Sequence, residues 1–208
     1  MFIHIDLDCY FVSAQRTLDK SLHNIPVAVG GKSNVDIFSK TIVKRTMATN
    51  RASFSSKILD SEDENSSNDY FVDENNKIRG IITSASYEAR AFGVKTAMSV
   101  NEALKLCPNL KMIPPKYSLY DELSSKLKEL LELEIPLIEQ FSIDEFFGDL
   151  TGYIKEDEAE DFAKKLKDKI FKELNLPCSI GLANTKYLSK LMTNEAKPNN
   201  IKLLKKDN

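Results

Sequence analysis

Leu137-Ile138-Glu139-Gln140-Phe141-Ser142-Ile143-Asp144-Glu145-Phe146-Phe147-Gly148-Asp149-Leu150 holds two apolar runs around a polar break. The runs at 137–141 and 146–150 predict two strands, with Ser142-Ile143-Asp144-Glu145 turning between them. Adjacent side chains in a regular strand point to opposite faces, so neighbouring carboxylates serve one centre only at a turn or bulge. An Asp-Glu pair in a hairpin turn is ordinarily just solvated. Here the flanks Leu137, Ile138, Phe141, Phe146 and Phe147 are too apolar for an ordinary exposed hairpin. Asp144 and Glu145 are therefore candidate site residues, with the solvated turn as the plain alternative.

Working outward, Phe2-Ile3-His4-Ile5-Asp6-Leu7 predicts a short buried strand, followed by helical spacing at 9–17. A strand at 26–29 is closed by Gly30-Gly31, and another runs at 80–84. A short helix at 87–92 is stopped by Gly93, and Ser99-Val100-Asn101-Glu102 has the spacing of a capping box opening a helix that ends before Pro108. A strand at 110–113, a long amphipathic helix at 117–134, a helix at 156–174, a strand at 178–182 and a helix at 185–196 complete the pattern. Strands separated by helices give an α+β or α/β core. Both classes stay open on periodicity alone.

Residues 32–80 break this rhythm. Lys40, Lys44, Arg45, Arg51 and Lys57 lie in a stretch without acids, where Ile37, Phe38, Ile42, Val43 and Met47 suit a helix. From Asp60 to Asn76 there are seven acidic residues and no basic one. Such composition buries little apolar surface and predicts a mobile surface loop.

The 208 residues carry 29 Lys+Arg against 31 Asp+Glu, a formal net charge of −2. That argues against a compact basic module held to nucleic acid by charge alone. Cys9, Cys107 and Cys178 are too scattered for a zinc site, and a reduced, cytoplasmic compartment is the natural expectation. The start, Met1-Phe2-Ile3-His4-Ile5-Asp6, lacks the basic n-region of a signal peptide, and no apolar run reaches the length of a membrane span.

Asp6-x-Asp8 ends the first strand. A carboxylate there is costly unless paired. For Asp6, directly after four largely apolar residues, a metal-ligand role is favoured. For Asp8, capping the helix that starts near Cys9 is as good a reading as catalysis. Should Asp6, Asp144 and Glu145 converge, three hard oxygen donors without His or Cys suit Mg²⁺ or Mn²⁺. Such a cluster fits two-metal phosphoryl transfer. Tyr87 and Arg90 share a helix face and can hydrogen-bond phosphate oxygens; an interfacial Tyr beside an exposed Arg is the bland alternative. Lys186 opens the last helix, at an anion-favouring end, though one Lys on a helix is usually just solvated. Lys190 and Lys197 follow and are candidates to face a nucleic-acid backbone.

Four segments in order, Asp6-Leu7-Asp8-Cys9-Tyr10-Phe11, Ser86-Tyr87-Glu88-Ala89-Arg90-Ala91-Phe92-Gly93-Val94-Lys95, Ser142-Ile143-Asp144-Glu145, and Gly181 through Lys186 to Ala196-Lys197-Pro198-Asn199, carry a resemblance. The chain resembles the Y-family translesion DNA polymerases of the bacterial DNA polymerase IV type. The resemblance implies an α+β fold: a palm at 1–30 and 99–208, its mixed or antiparallel sheet packed by helices, with a small fingers subdomain at 31–98 that includes an insertion at about 32–80. It implies two Mg²⁺ ions held by Asp6, Asp144, Glu145 and the Leu7 backbone carbonyl. It also implies triphosphate contacts from Tyr87, Arg90 and Lys186, and an aromatic steric gate at Phe11, whose ring takes the space of a ribose 2′-OH. Primer-template DNA and a deoxynucleoside triphosphate (dNTP) would be the partners, with a sliding clamp a further candidate through regions absent from this chain. Asn200 stands where the family's motif usually continues with Gly, and the thumb and little finger that grip duplex DNA do not occur within these residues. Two other classes compete: a Mg²⁺-dependent phosphatase with Asp6 as nucleophile, which explains neither the Tyr87/Arg90 segment nor the Asp144-Glu145 break, and a non-catalytic nucleotide- or protein-binding module.

Overall fold

A computed structural model describes residues 1–31, 70–73 and 75–205. The expected helix near 37–47, the bulk of the 32–80 insertion and the acidic run at 60–69 lie outside the described residues. The fold is α+β, and it divides into two compact units, one of 1–21 with 119–208 and one of 22–118. Residues 22–30 and 99–118, placed by expectation in the palm, lie in the second compact unit, where their strands pair.

In the first unit, β1 (Phe2–Leu7) is the middle strand of five. It pairs antiparallel with β6 (Glu145–Asp149) on one side and β7 (Cys178–Ala183) on the other; β5 (Leu137–Gln140) and β8 (Ile201–Leu203) are the edges. Ile3 and Ile5 on one face and His4 on the other are fully buried, as a strand covered on both faces requires. β8, unforeseen from sequence, pairs parallel with β7. Helix α1 (Tyr10–Leu18) follows β1 directly.

The second unit has a three-stranded sheet with β2 (Val27–Gly31) between β3 (Ile81–Ala85), antiparallel, and β4 (Lys111–Ile113), parallel. Helices α2 (Tyr87–Ala91) and α3 (Val100–Leu106) close it. Ser86 caps α2 by accepting from Ala89 N–H, and Ser99 caps α3 by accepting from Glu102 N–H. Gly93 follows α2 with φ +90°, the left-handed stop its sequence position implied.

One expectation fails here. The described end of the acidic stretch is structured: Phe71 is buried in the core with Ile82, Val100 and Met112, and Val72 bridges to Ile78. Asp73 organises the turn, accepting from Asn75 and Lys77 N–H groups and pairing with Arg79 at 2.9 Å. Two apolar residues and an Asx-type turn suffice to tie down a segment that average composition assigned to solvent.

Three further helices complete the described structure: α4 (Tyr117–Glu134), α5 (Ala159–Leu174) and α6 (Lys186–Ala196), the last capped by Thr185. Helix α6 lies close against β7 because Gly181 has no side chain. A Cβ there would sit 2.0 Å from Ser189 O and 2.4 Å from Thr193 N, both backbone atoms. Gly181→Ala is therefore expected to cost about 3 kcal/mol or more, lowering Tm by roughly 6–12 °C. Gly31→Ala, whose Cβ would meet only Thr83 Cγ2 at 4.0 Å, is the control and should be near neutral in the same thermal melt.

Candidate active site

Register brings the acids together. Asp6 is the antiparallel partner of Glu145, the first residue of β6, and Leu7 N–H donates to Asp144 O at 3.0 Å. Asp144 thus sits in the turn and Glu145 on the strand, which resolves the face problem of two adjacent carboxylates. Ser142 Oγ pins the turn, donating to Asp144 Oδ1 at 2.7 Å and accepting from Glu145 N–H at 3.1 Å. The solvated-hairpin alternative fails: burial pushes Asp144 upward from the ordinary carboxylate range, with Glu145 adding to the rise and the Ser142 hydroxyl opposing it.

Asp6 is 5% exposed. Burial pushes its carboxyl up to about 7, against the pull of Lys197; Asp144 and Glu145 push in the same direction as burial. Lys197 Nζ lies 2.7 Å from Asp6 Oδ2, and Lys190 Nζ lies 2.9 and 2.7 Å from the two oxygens of Glu145. Burial also works to raise Glu145, but Lys190, with smaller help from His4 and Asp6, brings the group below its usual range. These two lysines, expected to face a nucleic-acid backbone, instead meet the carboxylates. The resemblance had singled out Lys186. The structure places it elsewhere: its ammonium pairs with Glu139 and lies 5.8 Å over the Phe147 ring. Together with Glu139, Leu137 and Phe2 it lines an open cavity of about 710 Å³ that includes none of the three acids. The signal for Lys197 was present in Lys197-Pro198-Asn199, where the chain leaves α6 and the lysine can turn back toward β1.

The donor set fits a hard divalent cation: carboxylates gathered from β1, the turn before β6 and the first residue of β6, two of them destabilised by burial and mutual charge. Among the described residues no three His, Cys, Asp or Glu side chains form a ready metal cage. Two of the carboxylates are shared with ammonium groups instead.

His4 lies two residues before Asp6, fully buried, with Nδ1 2.8 Å from Thr193 Oγ1 and its ring 4.4 Å from that of Phe147. Burial lowers its pKa to about 4, against the charge of Glu145, so the imidazole is neutral at pH 7. Phe11, on α1, is half-buried and stacks on Tyr120 of α4, ring centroids 4.2 Å apart and planes 11° from parallel. Tyr120 is itself fixed, its carbonyl accepting from the Tyr10 hydroxyl and its own hydroxyl accepting from Gln15 Nε2 at 3.1 Å. In the second unit, Arg90 extends 5.0 Å over the Tyr87 ring, and its Nε donates to Ala85 O at 3.0 Å. The pair shares one helix face as its spacing required.

Among the described residues no helix is long and apolar enough to cross a membrane. The family model described as impB/mucB/samB matches residues 5–194. DNA polymerase IV of Alkaliphilus oremlandii is 35% identical over 205 residues, which cover 98% of this chain and 41% of that protein. DNA polymerase IV 1 of Halalkalibacterium halodurans is 44% identical over 128 residues, 62% of this chain and 31% of that protein. A solved insertion ternary complex of Dbh DNA polymerase shares the fold, with a TM-score of 0.76 at 23% identity, over 99% of this chain and 49% of that one. The chain spans less than half the length of these curated relatives. The acidic end of β1, the turn before β6 and helix α6 as far as Asn194 fall within one family match, and the chain belongs to the impB/mucB/samB family.

Proposed function

We propose that this chain carries the catalytic part of a template-directed DNA polymerase of the translesion type, joining a dNTP to a primer 3′-OH with release of pyrophosphate. The observation that carries the reading is the meeting of Asp6, Asp144 and Glu145 at the end of the central strand, with ammonium groups already drawn to them. On this reading the first unit is the palm and the second the fingers. The relatives' printed names support DNA as substrate. A cytoplasmic location and a sliding clamp, engaged through regions outside these residues, go with the same reading. The family match supports this reading over the phosphatase alternative.

Asp6, Asp144, Glu145 and the Leu7 carbonyl would hold two Mg²⁺ ions, or Mn²⁺ in their place. When bound, the ions lower the pKa of an attacking hydroxyl and offset charge on the phosphates. The protein supplies the rest. Ser142 fixes the turn, so the carboxylates need little reorganisation. Lys197 and Lys190 are positioned to exchange a carboxylate partner for phosphate oxygens, a role the resemblance had given to Lys186. Tyr87 and Arg90 are assigned to the triphosphate by the resemblance, with Arg90 offering bidentate donors. Phe11, held flat against Tyr120, limits room at the sugar.

Primer extension is the direct test. Incorporation of dNTPs on a primed template supports the reading, and nucleotide binding without extension favours a non-catalytic module. Asp144→Asn should lower extension at least about a hundredfold. The same variant should melt higher than the parent in EDTA. Asp144 titrates above its unfolded value, so its favourable contribution is complete in acid and lost as pH rises through its folded pKa. The melting gain should accordingly be near zero at acid pH and grow toward neutral and alkaline pH.

Phe11→Ala should raise ribonucleotide incorporation relative to deoxyribonucleotide by about tenfold or more. Single-nucleotide insertion with each sugar measures this. Lost stability with unchanged sugar choice would make Phe11 a core residue only.

A further inference from the structure

The Asp-x-Asp motif contains one acid that the site has not used. Asp8 is 2% exposed, just past the end of β1. Ser179 Oγ, on the neighbouring strand, lies 3.0 Å from both of its carboxylate oxygens. Asn199 N–H donates to its Oδ2 at 2.7 Å. Its own backbone is held as well: Asp8 N–H donates to Pro177 O at 2.9 Å, and its carbonyl accepts from Ser13 Oγ at 2.6 Å. This carboxylate faces hydrogen-bond donors of the protein, and what it grips is the turn that carries Lys197.

That turn needs gripping. Helix α6 ends at Ala196, and Lys197 already has extended backbone, φ −65° and ψ 138°. The direction of its side chain is therefore set by the turn, not by the helix. Two residues on, Asn199 has left-handed φ, +50°. Its N–H is taken by Asp8, while its carbonyl and Oδ1 accept from Lys167 Nζ of α5 at 2.9 and 3.1 Å. Asp6 meanwhile takes the Lys197 ammonium. The two acids of Asp6-x-Asp8 thus bracket Lys197-Pro198-Asn199, one by side chain and one by backbone. The same geometry explains how Asn200 stands where the family's motif has Gly: the left-handed position of the turn is Asn199, a residue type that tolerates it.

We propose that Asp8 is a positioning residue, a latch that holds the 197–199 turn so that the Lys197 ammonium stays aimed at the Asp6 end of the site. It acts through Lys197 and is not a metal ligand. What Lys197 then does to a nucleotide rests on the polymerase reading; the latch itself does not.

Lysine side-chain NMR on the ¹³C/¹⁵N-lysine-labelled chain reads the latch without any turnover, with the Lys197 signal identified by Lys197→Arg. Asp8→Ala is expected to move that signal to the position of exposed lysines. Asp8→Asn should largely restore it, since the amide oxygen can accept from Asn199 N–H and the amide nitrogen can donate to Ser179. In primer extension, Asp8→Ala should raise the KM for dNTP about tenfold, the cost of one charge-assisted contact, with kcat much less affected. Adding it to Lys197→Ala should bring little further loss, because both act through one ammonium. Mn²⁺ binding followed by electron paramagnetic resonance should be kept in Asp8→Asn and weakened in Asp6→Asn.

An unmoved Lys197 signal in Asp8→Ala, or losses that multiply in the double variant, overturns the latch. So does Asp8→Asn losing Mn²⁺ as Asp6→Asn does, which would make Asp8 a ligand. Should Asp8→Ala not fold, Lys167→Ala loosens the same turn from its outer side and should shift the Lys197 signal partway; no shift there also overturns the proposal. Unimpaired extension by Asp6→Asn would instead refute the polymerase reading and leave the latch to the NMR result.

Discussion

A carboxylate on the central strand of a sheet is the constraint around which the first unit is arranged. Asp6 has β6 on one side and β7 on the other, and its burial alone would keep it protonated near neutrality. Placing Glu145 in register with it, and Asp144 in the adjoining turn, makes the problem worse by like-charge repulsion. Such an arrangement is tolerable only when cations are at hand. Lys197 and Lys190 meet that need from the end and the middle of a single segment, 186–197.

Holding that segment close imposes a second demand. Helix α6 can approach β7 only over Gly181, and the approach seats Thr193 against His4 on the same face of β1 that presents Asp6. A buried neutral imidazole, a threonine and a bare glycine thus form the floor beneath the acids. Their contribution is geometric: they set the height of α6 above the sheet, and with it the reach of Lys190 to Glu145.

Much of this was legible in the sequence where one physical signal dominated. The apolar runs at 137–150 gave both strands, and the pattern from Tyr117 to Glu134 predicted its helix to the residue. The strand-end position of Asp6 and the turn position of Asp144 followed from alternation alone. Legibility failed where placement depended on contacts distant in sequence. Ile201-Lys202-Leu203 is too short to show a period, and it is a strand only because β7 lies alongside. Phe71 was hidden by the acidic residues around it, since composition averages over a segment but packing acts on single side chains. Among Lys186, Lys190 and Lys197, helix spacing cannot tell which ammonium reaches the acids, because the last of them lies past the helix end and is aimed by a turn.

The connectivity of the five-stranded sheet also orders events in time. Strand β1 is made first, yet both of its partners lie beyond residue 144, and β7 is complete only at Ala183. The other unit is contiguous and ends at Ser118, so it is free to fold while about 65 further residues are added to reach that point. At ordinary rates of translation this leaves Phe2, Ile3 and Ile5 without their sheet for roughly 3–13 s after Ser118 is joined. An unpaired apolar strand is the kind of segment that aggregates or recruits a chaperone. Its two acids, Asp6 and Asp8, lie at the end of that strand, where charge works against association of one nascent chain with another. The residues that make the folded site expensive thus also protect the chain before it has a fold.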